Sequence, residues 1–427
     1  MSENKTYTQA IDKGWEPAKC GYKFNGEILY RNGKTDKTAA ELLASPDWKL
    51  PELMVMNDGT PVTAEKWAQR REEILYAVRE YGFGHSPAAP EKLEAEVEYS
   101  SAAKTYAGTI KSYAGKAVIE RINLSFDGPY GRFSFPIQLI RPIYEEKPPV
   151  IIHLAFNPSL RELAPSAAVE TPYAPIEEII DNGFAYVHLC YNDIIKDNFG
   201  KTFQEALGEN GMGKVFYKPE GRGKSEWGKI SMWAWAGSRV VDYLLTRDDI
   251  DKDCISVAGH SRLGKTALWC GAQDERIFAS LVNCSGWGGA GLTVGLDEDK
   301  LKTLVEQGYM QWWCDALADY QDNFREIPYD AHFMVAACAP RYVNLLSADG
   351  DMSRYQLADF MSAAAASPAF EVQGLKGFPT DAKIPCPTVV YNEGHIGYAL
   401  RPGSHHFSRW DWNRHMEFVL KHRGEKK

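Results

Sequence analysis

Apolar residues follow three regimes along the chain. Up to about residue 50 they show no period. The segment "NDGTPVTAEKWAQRREEILYAVREYGFG" then predicts a turn at Asp58-Gly59 and a helix capped by Thr63. That helix carries Trp67, Ile74, Leu75 and Val78 on its apolar side and ends near Gly82. From about residue 95 the pattern becomes that of strands. "AVIERINLSF" and "FSFPIQLIRPI", on either side of "DGPYG", predict an antiparallel pair. Beyond it, "PPVIIHLAF", "FAYVHLCY", "ISVAGH", "ASLVNCS", "RYVNLLSA" and "TVVYNEG" are short apolar runs separated by helical or loop sequence. Unbroken runs of this kind suit parallel strands covered on both faces. The alternation predicts an α/β fold, a mostly parallel, doubly wound sheet in a three-layer sandwich. Residues 1–94 are then an N-terminal arm with one amphipathic helix packing on the body, and residues 95–427 are the main domain.

Composition narrows the class of partner. With 44% apolar residues, 12 Trp, 22 Tyr and 18 Phe, the chain can bury a large core. Its net charge of −9 and lack of any Lys/Arg run give no footprint for nucleic acid or an anionic membrane surface. No apolar stretch reaches the ~18 residues of a membrane-spanning helix. The start "MSENKTYTQAIDKGWEP" lacks the apolar region of a secretory leader, so the expected location is cytoplasmic. Eight cysteines without a C-x-x-C pair fit reduced thiols better than disulfides or a zinc site.

The chemistry centres on "AGHSRLGKTALW", residues 258–269, at the junction of a predicted strand and helix. A serine on such a turn exposes its hydroxyl beside the N–H groups of a helix start, where an oxyanion is stabilised. Leu263 occupies the place where G-x-S-x-G has its second glycine, and Gly264 follows. Ser261 is therefore either a nucleophile or a helix cap. An α/β-hydrolase needs an acid after a late strand and a histidine near the C-terminus. "RYVNLLSADGD" offers Asp349 and Asp351, and "RPGSHHF" offers His405 and His406, with His395 a weaker candidate. His153 and His188, inside apolar strands, read as core histidines.

Taken in order, "GHSRLGKTALW", "SGWGGAGL", "APRYVNLLSADGD" and "LRPGSHHF", with "DGTPVTAEKWAQRREEIL" upstream, resemble carbohydrate esterase family 15, the glucuronoyl esterases, and its bacterial branch in particular. The resemblance runs from about residue 50 to the end. It implies an α/β-hydrolase that cleaves esters of glucuronate through an acyl-enzyme, with no cofactor or metal. Small-molecule or oligosaccharide esters are the implied partners. Ser261 becomes the nucleophile, His405 the base, Arg262 an oxyanion stabiliser and Lys265 a ligand of the sugar hydroxyls. Trp312 and Trp313 match an aromatic motif of bacterial members and read either as substrate-facing or as core aromatics, since one of two neighbours on a helix turns inward. Two positions depart from the family. Cys284 stands where a glutamate often serves as the acid, which turns the choice to Asp351, with Asp349 in reserve. Ser353 and Tyr355 lie where a pocket tryptophan is expected. An acetylated-oligosaccharide esterase and an inactive sugar-binding member are the other readings.

Overall fold

The computed structural model describes residues 23–24, 27–28, 37–45, 48–101, 112–197, 211–217, 221–294, 300–307, 309–351, 356–383 and 389–425. Its frame is a ten-stranded sheet. The strands are β1 (Glu94–Ser100), β2 (Ala117–Gly128), β3 (Gly131–Pro142), β4 (Val150–Ala155), β5 (Ala185–Cys190), β6 (Ile255–His260), β7 (Ala279–Asn283), β8 (Tyr342–Ala348), β9 (Val390–Tyr391) and β10 (Ile396–Arg401). Their spatial order is β9-β10-β8-β7-β6-β4-β5-β3-β2-β1. From β5 to β10 every neighbouring pair is parallel. The β2–β3 hairpin closes at Gly128–Gly131, as "DGPYG" predicts, and β3 joins β5 antiparallel.

Both faces of the parallel strands are buried, and alternate residues feed different layers. In β4, Val150, Ile152 and Leu154 enter one core while Ile151 enters the other. The first core takes α1 (Trp67–Val78), α3 (Lys229–Leu244), α4 (Arg262–Gln273), α5 (Ala331–Ala337) and α6 (Gln356–Glu371). The second takes α2 (Ile176–Asp181) and α7 (Arg409–Glu425). This is the three-layer α/β-hydrolase architecture. His153 and His188 belong to the second layer. The first meets Tyr186 Oη at 2.7 Å and packs on Trp412, and the second meets Pro158 O at 2.9 Å. Helix α1 is tied to the body by Arg71, whose Nε and Nη2 donate to Ala337 O and Ala272 O at 2.8 and 2.6 Å.

Two local expectations need correction. Helix α1 begins at Trp67, not after Thr63; its N-cap Lys66 makes no side-chain cap bond. Thr63 opens a preceding turn by accepting Lys66 N–H, and its hydroxyl bonds Glu65. After Val78 the chain widens into a π-turn, Arg79–Phe83, that ends at Gly84. "TVVYNEG" supplies only β9, two residues paired antiparallel at the edge. The parallel strand is the next segment, "IGYALR", in register with Val343–Ala348. Its interior glycine and terminal arginine obscure it as an apolar run, but Gly397 lies where a Cβ would stand 2.5 Å from Asn344 Oδ1.

Candidate active site

All six parallel strands end on one edge, so the loops after β5, β6, β7, β8 and β10 converge there. The loop after β6 is a strained turn. Ser261 has φ 58° and ψ −124°, and its side chain makes no cap bond to α4. The capping reading of Ser261 therefore fails. Holding a non-glycine residue there costs on the order of 1–3 kcal/mol, which the surrounding structure must supply. Part of that support is the bond from Ser261 N–H to Asn283 O at 2.9 Å. The glycine spacing also has its reason: a Cβ on Gly259 would lie 2.1 Å from Leu263 O, and one on Gly264 2.8 Å from Asn283 O. The tight approach falls at position 264, so Leu263 is free to point into the core, where it is fully buried.

The loop after β8 folds back on the loop after β10. Asp349 N–H donates to Arg401 O and Gly350 N–H to Gly403 O, both at 2.8 Å. These pairings hold Asp351 against His405, with Asp351 Oδ2 2.6 Å from His405 Nδ1. The Asp351 side chain is 7% exposed and that of His405 is 41% exposed. One partner is thus shielded while the other faces open space. Asp349 does not line the cavity. His406 packs on Tyr173 instead, and His395 sits at the opposite end of β10, with Nδ1 2.8 Å from Pro340 O. His260 packs beside His405 at 4.4 Å between ring centres. Burial pushes its imidazole down to about 3, so it stays neutral.

Ser261, Arg262, Lys265, Asp351, His405, Trp312 and Trp313 all line one cavity of about 570 Å³. Lys265 is buried and donates through Nζ to Ser285 O. The turn "NCSGWGG" after β7 has Cys284, Gly286 and Gly288 at positive φ, and it brings Trp287 to the cavity wall. A Cβ on Gly288 would press 2.8 Å from the Trp313 ring. Trp313 is only 1% exposed and backs Trp287 edge to face at 5.3 Å. Trp312 stands further forward, its ring under the Arg262 guanidinium at 5.1 Å. Ser353 and Tyr355 lie outside the described residues.

Three residues at this edge escape sequence reasoning. Asp197, after β5, has a fully buried side chain. One carboxylate oxygen pairs with Arg262 Nη1 and the other accepts from Trp312 Nε1 at 2.9 Å. Arg401, at the end of β10, pairs with buried Asp411 at 2.7 Å. It also donates to the carbonyls of Pro402, Ser404 and His406, clamping the loop that carries His405. The arginine and aspartate stand within the "LRPGSHHF…DW" segment, a usable signal; Asp197 in "NDIIKDNFG" has none. Cys284 is buried beside the His405–Asp351 pair, and burial holds its thiol far above the ordinary range. It is a neutral group in that position.

A sequence profile of fungal glucuronyl esterases matches residues 162–374. A carbohydrate esterase of an unknown prokaryotic organism is 30% identical over 414 residues, covering 88% of this chain and 90% of its own. A 4-O-methyl-glucuronoyl methylesterase of Schizophyllum commune is 28% identical over 301 residues, covering 68% of this chain and 65% of its own. Among solved structures, a glucuronoyl esterase from Solibacter usitatus superposes with a TM-score of 0.76 at 28% identity, covering 89% of this chain and 99% of its own. The chain belongs to carbohydrate esterase family 15, the glucuronoyl esterases.

Proposed function

We propose that this chain hydrolyses esters of glucuronate at the cavity below Trp312, with Ser261 as nucleophile, His405 as base and Asp351 as its acid partner. The observation that carries the proposal is the 2.6 Å contact between His405 Nδ1 and Asp351 Oδ2 in the cavity onto which Ser261 opens. The acceptor on Nδ1 fixes the proton there and leaves Nε2 as the base. His405 Nε2 takes the hydroxyl proton as Ser261 Oγ attacks the ester carbonyl. The oxyanion forms at the start of α4, within reach of its N–H dipoles and the Arg262 guanidinium. His405 returns the proton to the departing alcohol, leaving an acyl-enzyme. Water then attacks that acyl carbon as His405 takes its proton, and Ser261 regains its hydrogen. Lys265, an ammonium donor on the cavity wall, suits the hydroxyls of a sugar ring. The names of the relatives support a glucuronate ester as the acyl part.

A panel of methyl, allyl and benzyl glucuronate esters, 4-nitrophenyl acetate and acetylated xylo-oligosaccharides tests this reading. Turnover is expected on the glucuronate esters, and on benzyl glucuronate most of all, because the cavity walls are aromatic. Preference for the acetylated sugars would move the substrate to the acetyl class. Ser261→Ala should lose on the order of 10⁶ in turnover, and a fluorophosphonate should label the native chain but not the variant. A native chain that takes up no label would be an inactive member.

A further inference from the structure

Cys284 adjoins groups that the esterase mechanism already uses. Its Sγ, a carboxylate oxygen of Asp351 and a ring nitrogen of His405 all lie within 4.8 Å of one another. The three come from separate loops, after β7, β8 and β10, so no ligand spacing announces them in the sequence. Thiolate, imidazole and carboxylate are the ligands Zn²⁺ takes, at roughly 2.0–2.3 Å from the ion. Ligand atoms on a tetrahedral ion at those bond lengths are about 3.3–3.8 Å apart, inside the observed 4.8 Å limit, and the 2.6 Å contact between His405 Nδ1 and Asp351 Oδ2 must open by about 1 Å if those two atoms are ligands. Cys284 and Asp351 are buried and His405 faces the cavity. That leaves an open fourth position on the substrate side. Burial first, and then the neighbouring Asp411, Asp351 and Asp359, hold the thiol proton on, while Arg401 favours the thiolate.

We propose that Cys284, Asp351 and His405 form an inhibitory site for a thiophilic divalent cation such as Zn²⁺. The inhibition rests on the reading of His405 as base; the binding does not. On binding, the thiol proton passes to solvent and a Zn–S bond forms. If the metal takes Nδ1, the imidazole proton moves to Nε2, which can then no longer accept from Ser261. If it takes Nε2, the base is occupied outright. Either way hydrolysis stops, and removal of the metal restores it. Magnesium, which prefers oxygen ligands and octahedral geometry, is expected to have no effect.

The test pairs a binding measurement with an activity measurement on the full chain. Calorimetric titration with Zn²⁺ should show one site on the native protein and on Ser261→Ala, which retains all three ligands. Cys284→Ala and Cys284→Ser should each weaken it by at least the roughly 10–100-fold that loss of a mere outer partner of a metal ligand causes. Cobalt(II) bound to the native chain should give a thiolate charge-transfer band that both cysteine variants lack. Each variant's hydrolysis of 4-nitrophenyl acetate, scaled to its own metal-free rate, should resist Zn²⁺ in the same proportion. Chelation should restore the native rate. Equal Zn²⁺ affinity in native and cysteine variants would overturn the site, as would no binding to the native chain at millimolar metal. Binding through Cys284 that leaves hydrolysis untouched would overturn the inhibition. If no ester in the panel is turned over, the titration and the cobalt spectrum still decide the site, and only the proposed function falls.

Discussion

His405 and Asp351, 54 positions apart in sequence, meet through one hydrogen bond of 2.6 Å from Nδ1 to Oδ2, while Asp349 two residues away turns aside. The contact assigns the two aspartates different consequences. Asp351→Asn removes the carboxylate acceptor, lets the imidazole adopt the wrong tautomer, and should lower turnover on the order of 10⁴-fold. Asp349→Asn should stay within a few-fold of native. Steady-state rates on benzyl glucuronate decide the matter, and near-native rates in Asp351→Asn would return the acid role to another group.

Asp197 bridges Arg262 and Trp312. Its replacement by Asn keeps an acceptor for the indole but loses the charge that sets the guanidinium plane. Arg262→Lys keeps the charge without the planar fork and should lower kcat about 10²-fold with little change in KM. Asp197→Asn should lower kcat too, though less. The double variant should fall no further than Arg262→Lys alone, because both changes act on one interaction. Additive losses would mean that Asp197 supports the fold and not the guanidinium.

Lys265 offers a test of substrate recognition. Lys265→Ala should weaken kcat/KM on glucuronate esters while 4-nitrophenyl acetate, which has no ring hydroxyls, stays close to native. Equal losses on both would point to the bond with Ser285 O and hence to the shape of the turn after β7.

The loop that carries His405 hangs from Arg401 and Asp411, both buried. Asp411→Asn leaves the guanidinium without its charge partner and should cost about 3–5 kcal/mol of stability. Urea unfolding measures this directly. The same variant should lose turnover even where it remains folded, because the carbonyls of Ser404 and His406 share that guanidinium.

Acid should begin to destabilise the protein above the pH range in which exposed carboxylates titrate. Burial pushes the imidazoles of His188 and His332 down to about 4 and those of His260 and His415 to about 3. Their folded values lie below the unfolded one, so the stability they contribute is present above about pH 6.5 and is lost as pH falls toward 3. Each costs up to about 1.4 kcal/mol per pH unit across that window. Asp359, raised by burial to about 7, opposes them, as do Asp193, Asp330, Asp411 and Glu417, which burial also raises, since each binds its proton more tightly when folded. Where the imidazoles outweigh the carboxyls the urea midpoint should drop from pH 7 to pH 5, and a flat midpoint over that range would mean that proton uptake by the buried carboxyls cancels the imidazole effect.

Much of this molecule follows from local sequence. Runs such as "VIIHLA" and "AYVHLC" are buried on both faces, and a segment's own periodicity reports that without knowledge of its neighbours. The turn at Ser261 is local in part: Gly259 clears Leu263 O a few residues away, while Asn283 O of the neighbouring strand holds Ser261 N–H and demands the glycine at 264. Resemblance to a family extended that reading to His405, Arg262 and Lys265. Other features depended on what packs beside a segment. "IGYALR" is a strand because it registers with β8, and neither Gly397 nor Arg401 signals that alone. Asp351 rather than Asp349 meets His405 where two backbone bonds join the β8 and β10 loops. Asp197 meets Arg262, and Cys284 meets His405, only because parallel strands deliver all their C-terminal loops to one edge. Those contacts join residues tens to more than a hundred positions apart, through space, by side chains whose types are ordinary in loops. Periodicity and spacing describe a chain's relation to itself over a few turns, and the chemistry here is assembled across the sheet.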